Sequence, residues 1–308
     1  MNDITVRVRA RRDEAAGVFA LDLADASGAP LPRWRPGAHI DVAAGPTGVR
    51  QYSLCGDPGD LGGWRIAILH EPGGRGGSDH LRRTALEGSL LQVSQPRNNF
   101  ELVEAEEYLF VAGGIGITPI LAMTTTAAAP WQLYYGGRSR AHMAFAGELA
   151  ERHPAAVNLL PQDEHGLLPI TELLDRHPRA TVYCCGPEPL LAATVAAGTE
   201  RGMPVHVERF APKPVAEGAD TAFEVRLAST GQTFAVPPGT SIADVLEAAG
   251  VPVITSCREG TCGTCETTVL TGAIEHRDSL LTEDEQAAGK TMMLCVSRAC
   301  QGPLVLDL

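Results

Sequence analysis

Hydrophobic residues change their spacing twice along this chain. Over Thr5–Arg9 and Val18–Leu23 they alternate with polar ones, and Ala38–Val42 and Trp64–Leu69 are short runs bounded by Gly and Pro. Residues two apart line one face of a strand, so these runs predict a small antiparallel β-barrel over 1–101. The polar turn Gln95-Pro-Arg-Asn-Asn99 marks the first change. Tyr108–Ala112 is then continuously apolar, as in a parallel strand buried on both faces. Strand patterns at Trp131–Tyr135, Val157–Leu160 and Ala180–Cys184 alternate with helical ones at Ile120–Thr125, Ala141–Glu151 and Thr171–Arg176. A further helix runs to Gly198, and Val205–Phe210 closes the sheet. That alternation predicts an α/β doubly wound sheet over 102–212, with its ligand site at the strands' C-terminal edge. The second change comes at Ala211–Asp220, rich in proline and charge, where an extended linker is expected over 213–220. Beyond it, strands at Phe223–Leu227 and Thr233–Val236 and a helix from Ser241 to Ala249 predict an α+β β-grasp over 221–308. Ser241 is a good N-cap, with Asp244 at the capping-box position. Met293–Val296 reads as a buried strand.

A length of 308 residues agrees with a multi-domain chain. The first residues lack the long apolar core of a secretory signal, and nowhere do about eighteen apolar residues run unbroken, so no membrane span is expected. A formal charge of −12 argues against nucleic acid and anionic membranes as partners. Residues 222–308 carry eleven Asp/Glu against five Lys/Arg, half of that excess. Two readings stand: simple solubility, or an acidic docking face for a basic redox partner.

The cysteines sharpen the picture. Cys257, Cys262 and Cys265 followed by Cys295 form C-x4-C-x2-C…C, the run that holds a plant-type 2Fe-2S cluster. Gly260, Thr261, Gly263 and Thr264 supply a small, bendable loop whose N–H groups can point at the sulfurs. Zinc is a rival, although its sites more often use two separated knuckles. Disulfides are the other, disfavoured by chain size and the absence of an export signal. The remaining thiols, Cys55, Cys184, Cys185 and Cys300, fit a reducing, cytoplasmic setting. The histidines give no metal-like spacing, and Ser256 and Arg258 either tune the cluster through hydrogen bonds or form a solvated rim.

Two further stretches suggest anion sites. Arg50-Gln-Tyr52-Ser53 offers a phosphate partner and groups that can flank a flat heterocycle; alone it is also an ordinary strand with one exposed arginine. Glu71-Pro-Gly-Gly-Arg75-Gly-Gly77-Ser78 precedes a helical stretch, Asp79–Glu87, and reads as a phosphate cradle or a flexible hairpin loop. Gly113-Gly114-Ile-Gly116-Ile-Thr118-Pro119 and Cys185-Gly186-Pro187 both fall where strands of the middle segment end. The first is not the full dinucleotide fingerprint.

In this order, R-x-Y-S-L, G-G-R-G-G-S, G-G-I-G-I-T-P, C-G-P, E-R-F and the C-terminal cysteine run, the chain resembles the phthalate dioxygenase reductase family over essentially its whole length. That family includes the vanillate demethylase reductases and serves Rieske-type oxygenases. The resemblance implies an FMN-binding barrel, a nicotinamide-binding domain and a ferredoxin in one polypeptide. NADH would give hydride to FMN, and electrons would pass singly through the 2Fe-2S cluster to a Rieske-type terminal oxygenase that docks transiently on a monomer. By carry-over, Arg50, Tyr52 and Ser53 contact the flavin, and Arg75 and Ser78 lie near its phosphate. Gly114, Gly116 and Thr118 face the dinucleotide. Cys185, with Gly186, sits by the reactive end of the nicotinamide, and Cys185 and Thr118 form the catalytic set. Phe210 covers the flavin, and Cys257, Cys262, Cys265 and Cys295 are the metal ligands. One departure is that Gly136-Gly-Arg138-Ser139-Arg140 has no acidic residue for an adenosine ribose, and its arginines suit a 2′-phosphate. A haem monooxygenase, another ferredoxin or a ferric chelate as acceptor, and a non-enzymatic redox sensor, are the alternatives.

Overall fold

The computed structural model describes residues 4–213 and 220–308, so the expected linker lies outside the described residues except for its ends, Lys213 and Asp220. The chain divides into two compact units, 1–208 and 209–308.

The first unit opens with seven strands: β1 (Ile4–Ala15), β2 (Val18–Asp25), β3 (Ala38–Ala43), β4 (Val49–Ser53), β5 (Trp64–Leu69), β6 (Leu90–Val93) and β7 (Arg97–Asn98). Helix α1 (Gly77–Thr84) lies between β5 and β6. The strands run in the order β4-β3-β6-β1-β2-β5, with β7 on β3. An antiparallel bridge between Leu54 and Ile66 joins the two ends of that order and closes a barrel. Val6, Val8, Leu21, Ile40 and Ile66 fill it.

Five parallel strands follow: β8 (Tyr108–Gly113), β9 (Trp131–Gly137), β10 (Val157–Pro161), β11 (Thr181–Cys185) and β12 (Val205–Glu208), in the order β10-β9-β8-β11-β12. Helices α2 (Ile117–Thr126), α3 (Ala146–Arg152), α4 (Gln162–His165), α5 (Ile170–Arg176) and α6 (Glu188–Arg201) connect them. Val18, Ala20 and Ala67 on the outer barrel wall share one core with Phe110 of this sheet and with Ile117 and Leu121 of α2. That contact explains a departure from the expected alternation. Val18 to Leu21 are all buried, because β2 has the barrel interior on one face and the parallel sheet on the other. The single helix expected over Ala141–Glu151 is also broken. Phe145 takes a left-handed conformation (φ 60°) as its ring enters the shared core, and α3 starts only after it.

The second unit holds β13 (Phe223–Leu227), β14 (Thr233–Val236), α7 (Ile242–Ala248), β15 (Glu266–Glu275), α8 (Glu283–Ala288), β16 (Thr291–Met293) and β17 (Arg298–Leu306). The mixed sheet runs β14-β13-β17-β15-β16, with β13 and β17 parallel, and α7 contributes Ile242, Ala243 and Leu246 to its core. Ser241 caps α7 as expected, its Oγ accepting the Asp244 N–H at 3.1 Å. The strand expected over Met293–Val296 is a correction. β16 stops at Met293, whose carbonyl accepts the N–H groups of Val296 (3.2 Å) and Ser297 (3.0 Å), so Cys295 sits on a turn. An apolar run marks burial, and burial here comes without extension.

Candidate functional site

The barrel brings together two stretches that lie about 25 residues apart in sequence. Arg50 Nη1 donates to the carbonyls of Thr47 (2.9 Å) and Val49 (2.8 Å), and Nη2 to that of Arg75 (3.1 Å). The side chain lies across Gly77, where a Cβ would stand 2.5 Å from Arg50 Nε and would push the arginine aside. Tyr52 is partly buried, which pushes its hydroxyl up to about 12 and keeps it a neutral donor. Ser53 is buried, and Ser78 in the first turn of α1 accepts the Glu71 N–H at 3.2 Å. A cation beside a helix start, with a half-buried phenol ring nearby, can take an anionic head group and a planar ring system.

In the parallel sheet, the chain leaves β8 toward β9 and later returns to the other side of β8 as β11, which places the topological switch point between β8 and β11. The turns that follow these two strands touch. A Cβ on Gly116 would stand 2.2 Å from the Cys185 carbonyl oxygen, and one on Gly186 3.0 Å from Gly113 Cα. Gly114 differs: its φ is 56° and nothing lies within 4 Å of the side-chain position, so it presents open backbone. Thr118 is buried, and its hydroxyl donates to the Ile115 carbonyl at 3.0 Å, tightening the turn from within. Successive strand residues point to opposite faces. Accordingly Cys184 accepts the Thr194 hydroxyl of α6 at 3.5 Å, whereas Cys185 belongs to the core shared with the barrel. Burial holds the Cys185 thiol well above its ordinary pKa, so it is a neutral SH.

In the second unit the four sequence-predicted cysteines converge. Cys257 meets Cys262 and Cys295, and Cys295 also meets Cys265. Among the described residues no group of three or more His, Cys, Asp or Glu closes on a single point; the thiols touch in the order Cys262–Cys257–Cys295–Cys265. Backbone N–H groups point at sulfur, Glu259 to Cys257 at 3.3 Å and Thr264 to Cys262 at 3.4 Å. The Cys257 thiol is held low by the hydrogen bond from Cys262 first, and Cys262 is raised by giving it. Gly260 (φ 71°) is needed because a Cβ there would meet Val296 at 2.6 Å. Paired soft donors, sulfur-directed N–H groups and a glycine-bent loop fit a 2Fe-2S centre, which distributes its thiolates over two irons. Arg258 takes a left-handed conformation (φ 57°), and its guanidinium turns away to Asp244 (2.7 Å) and Glu247 of α7.

Residues 225–300 match a family model described as a 2Fe-2S iron-sulfur cluster binding domain. The chain is 36% identical to phthalate dioxygenase reductase of Burkholderia cepacia, covering 99% of this chain and 97% of that protein. It is 40% identical to vanillate O-demethylase oxidoreductase of Pseudomonas putida, covering 98% of both. A solved structure of phthalate dioxygenase reductase, described as a modular structure for electron transfer from pyridine nucleotides to 2Fe-2S, superposes with a TM-score of 0.72 at 35% identity, over 100% of this chain and 98% of that one. The chain belongs to the phthalate dioxygenase reductase family. An intact type IV self-sufficient cytochrome P450 monooxygenase is also similar, with a TM-score of 0.90 and 41% identity over 99% of this chain. This chain spans only 41% of that protein's length.

In this phthalate dioxygenase reductase family member, sequence reasoning missed Glu208. It is the register partner of Cys185 at the end of β12, and its Oε2 is buried without a hydrogen-bond partner among the described residues. Although the residue as a whole keeps some exposure, that burial raises its carboxyl from 4.5 to about 8. The E-R-F motif held the residue, but its proximity to Cys185 depends on β-sheet register. Phe210 is exposed and belongs to the second unit. No helix among the described residues is long and apolar enough to cross a membrane.

The buried Glu208 carboxyl makes stability depend on pH. Between about 4.5 and 8 only the unfolded chain gives up this proton, so stability falls as pH rises through that window and levels off above it. Glu208→Gln is expected to abolish the fall and to exceed the parent in stability at pH 8.5 by ~2 kcal/mol, after discounting for partial exposure. Urea melts at pH 5 and 8.5 check this; parallel pH profiles for the two proteins would rule it out.

Proposed function

We propose that this chain is the NADH-dependent reductase component of a Rieske-type aromatic oxygenase or demethylase system. The observation that carries the proposal is the presence, in one polypeptide, of four thiols in successive contact and of two touching glycine turns at the switch point of a parallel sheet. Flavin, when bound, accepts electrons in pairs and releases them singly, which is what a nicotinamide donor and an iron–sulfur acceptor require of a group between them. Arg50, Tyr52 and Ser53, with Arg75 and Ser78, would hold FMN. Gly114 would let the dinucleotide phosphates approach the backbone. Cys185 and Gly186, with Thr118 bracing the opposite turn, would position the nicotinamide for hydride transfer, a task of placement rather than of acid–base chemistry. Cys257, Cys262, Cys265 and Cys295 would ligate the two irons. The acidic second unit would dock the oxygenase transiently, the protein being a cytoplasmic monomer.

One observation favours NADH over NADPH. Arg140, which follows β9, is engaged by Glu164 of α4, Nε to Oε1 at 2.8 Å and Nη2 to Oε2 at 3.0 Å. The acidic residue absent after β9 thus arrives from the end of β10. Glu164→Gln is expected to release Arg140 and lower the KM for NADPH roughly 2–5-fold, a surface-pair effect. Steady-state kinetics with both nucleotides test it; an unchanged NADPH to NADH ratio would detach Arg140 from the nucleotide.

A second reading, electron delivery to a haem monooxygenase, is favoured by the likeness to the reductase-containing P450 chain. Anaerobic mixing with NADH decides whether the protein is an enzyme: rapid bleaching of flavin and cluster bands supports it, and slow or absent bleaching supports a sensor. Turnover with purified Rieske oxygenases and P450 domains then separates the two acceptors.

A further inference from the structure

Two non-glycine residues among those described hold a left-handed backbone, Phe145 and Arg258. Such residues persist only where their surroundings over-determine them. Phe145 is held by the core that barrel and parallel sheet share. Arg258 has no such packing: its side chain is nearly half exposed, and it directly follows Cys257. What fixes it is a pair of carboxylates. Nη1 donates to Asp244 Oδ1 at 2.7 Å and Nη2 to Glu247 Oε2, two residues three apart and so on one face of α7.

The same helix holds the rest of the site. Glu247 Oε1 accepts the Thr255 hydroxyl at 3.2 Å, so α7 grips the chain two residues before Cys257 and one residue after it. The Ala243 N–H donates to the Leu294 carbonyl at 3.1 Å, and the Leu294 N–H donates to the Cys265 carbonyl at 3.3 Å. One helix therefore spans the segments that bring Cys257 and Cys295, and those two thiols touch. Ile242, Ala243 and Leu246 anchor it in the core. Cys257 most needs such help, because Cys262, Cys265 and Cys295 are buried and it is not. The turn at Arg258 also returns the Glu259 N–H onto Cys257 Sγ at 3.3 Å.

We propose that Arg258 is a positioning residue for the 2Fe-2S centre: clamped to Asp244 and Glu247, it fixes Cys257 against Cys295 and keeps the Glu259 N–H on the Cys257 sulfur. Its guanidinium is engaged by α7, so it acts through Cys257 and makes no bond to iron. Cys257 is then the ligand that lets go first when the clamp is loosened. An N–H on sulfur favours the reduced, more negative state of such a centre, so the clamp also raises its potential. The inference rests on the cluster reading given above.

The test uses the full-length holoprotein and two readouts other than turnover. One is loss of the visible cluster bands in excess EDTA; the other is the midpoint potential from a dye-mediated titration followed by EPR. Arg258→Ala is expected to lose its cluster roughly 3–10-fold faster, the size of two partly exposed ion pairs, and to have a lower potential. Arg258→Gly, which suits the backbone but restores no clamp, should do the same. Arg258→Lys, which keeps the charge, should fall between. Loss from the parent should quicken with salt up to about 0.5 M, and loss from Arg258→Ala should not. Glu247→Gln should speed loss in the parent and add nothing in Arg258→Ala. A parental rate in Arg258→Ala or Arg258→Gly overturns the proposal, as does an added effect of Glu247→Gln in the Arg258→Ala background. Should Arg258→Ala take up no cluster, Arg258→Lys and Glu247→Gln carry the comparison, and parental rates in both overturn it. A parent without any cluster signal sinks this inference together with the reading beneath it.

Discussion

Cys295→Ser is expected to abolish the EPR and visible signature of the 2Fe-2S centre and to cut delivery to one-electron acceptors at least ~100-fold. The loss should exceed that usual for a group that merely supports a ligand. The thiol sits on a buried turn in contact with both Cys257 and Cys265, so it links the Cys257–Cys262 pair to Cys265. Serine keeps the shape but offers a hard, reluctantly ionised oxygen where soft thiolate is required. NADH should still bleach the flavin, because the nucleotide sheet and barrel form a compact unit separate from the one bearing these cysteines. Cys300→Ser is the control: that thiol is exposed on β17 and the change should leave the signature intact. A Cys295→Ser protein with a normal EPR spectrum would remove Cys295 from the ligand set.

The second large effect is expected at Gly116. Its missing Cβ would stand 2.2 Å from the Cys185 carbonyl oxygen and 2.7 Å from the Gly186 nitrogen, both backbone atoms that cannot swing aside. Gly116→Ala must therefore push the ends of β8 and β11 apart. Overpacking of this kind costs ~1–3 kcal/mol of stability. Displacing Cys185 and Gly186 by about an ångström should slow hydride transfer on the order of 100-fold. Gly114→Ala provides the contrast, because its side chain would enter open space and the strain is only that of the left-handed backbone, about 1–2 kcal/mol. There the KM for NADH should rise with kcat little changed. Stopped-flow bleaching of the flavin separates the two, and parental hydride transfer in Gly116→Ala would show that the paired turns do not place the nicotinamide.

Much of this was legible in the residues themselves. Cysteine spacing, the glycine turns and the change of hydrophobic period are local signals, and each announces chemistry or an element without reference to the rest of the chain. What stayed hidden depends on pairs of residues far apart in sequence. Glu208 meets Cys185 through β-sheet register, and Glu164 reaches Arg140 across the ends of two strands. Val18–Leu21 is buried on both sides because a second sheet covers the barrel wall, and that same core breaks the helix at Phe145. Cys295 was placed on a strand because apolar neighbours signal burial alike in strands and turns.

The order of motifs thus carried the family, the three kinds of sheet and the ligand types, since each depends on which residue follows which within a few positions. Folding alone decided which carboxyl groups lose their water and which arginine is neutralised. Desolvation and charge pairing depend on distances through space, and strand register and side-chain packing set those distances only once the chain has closed on itself.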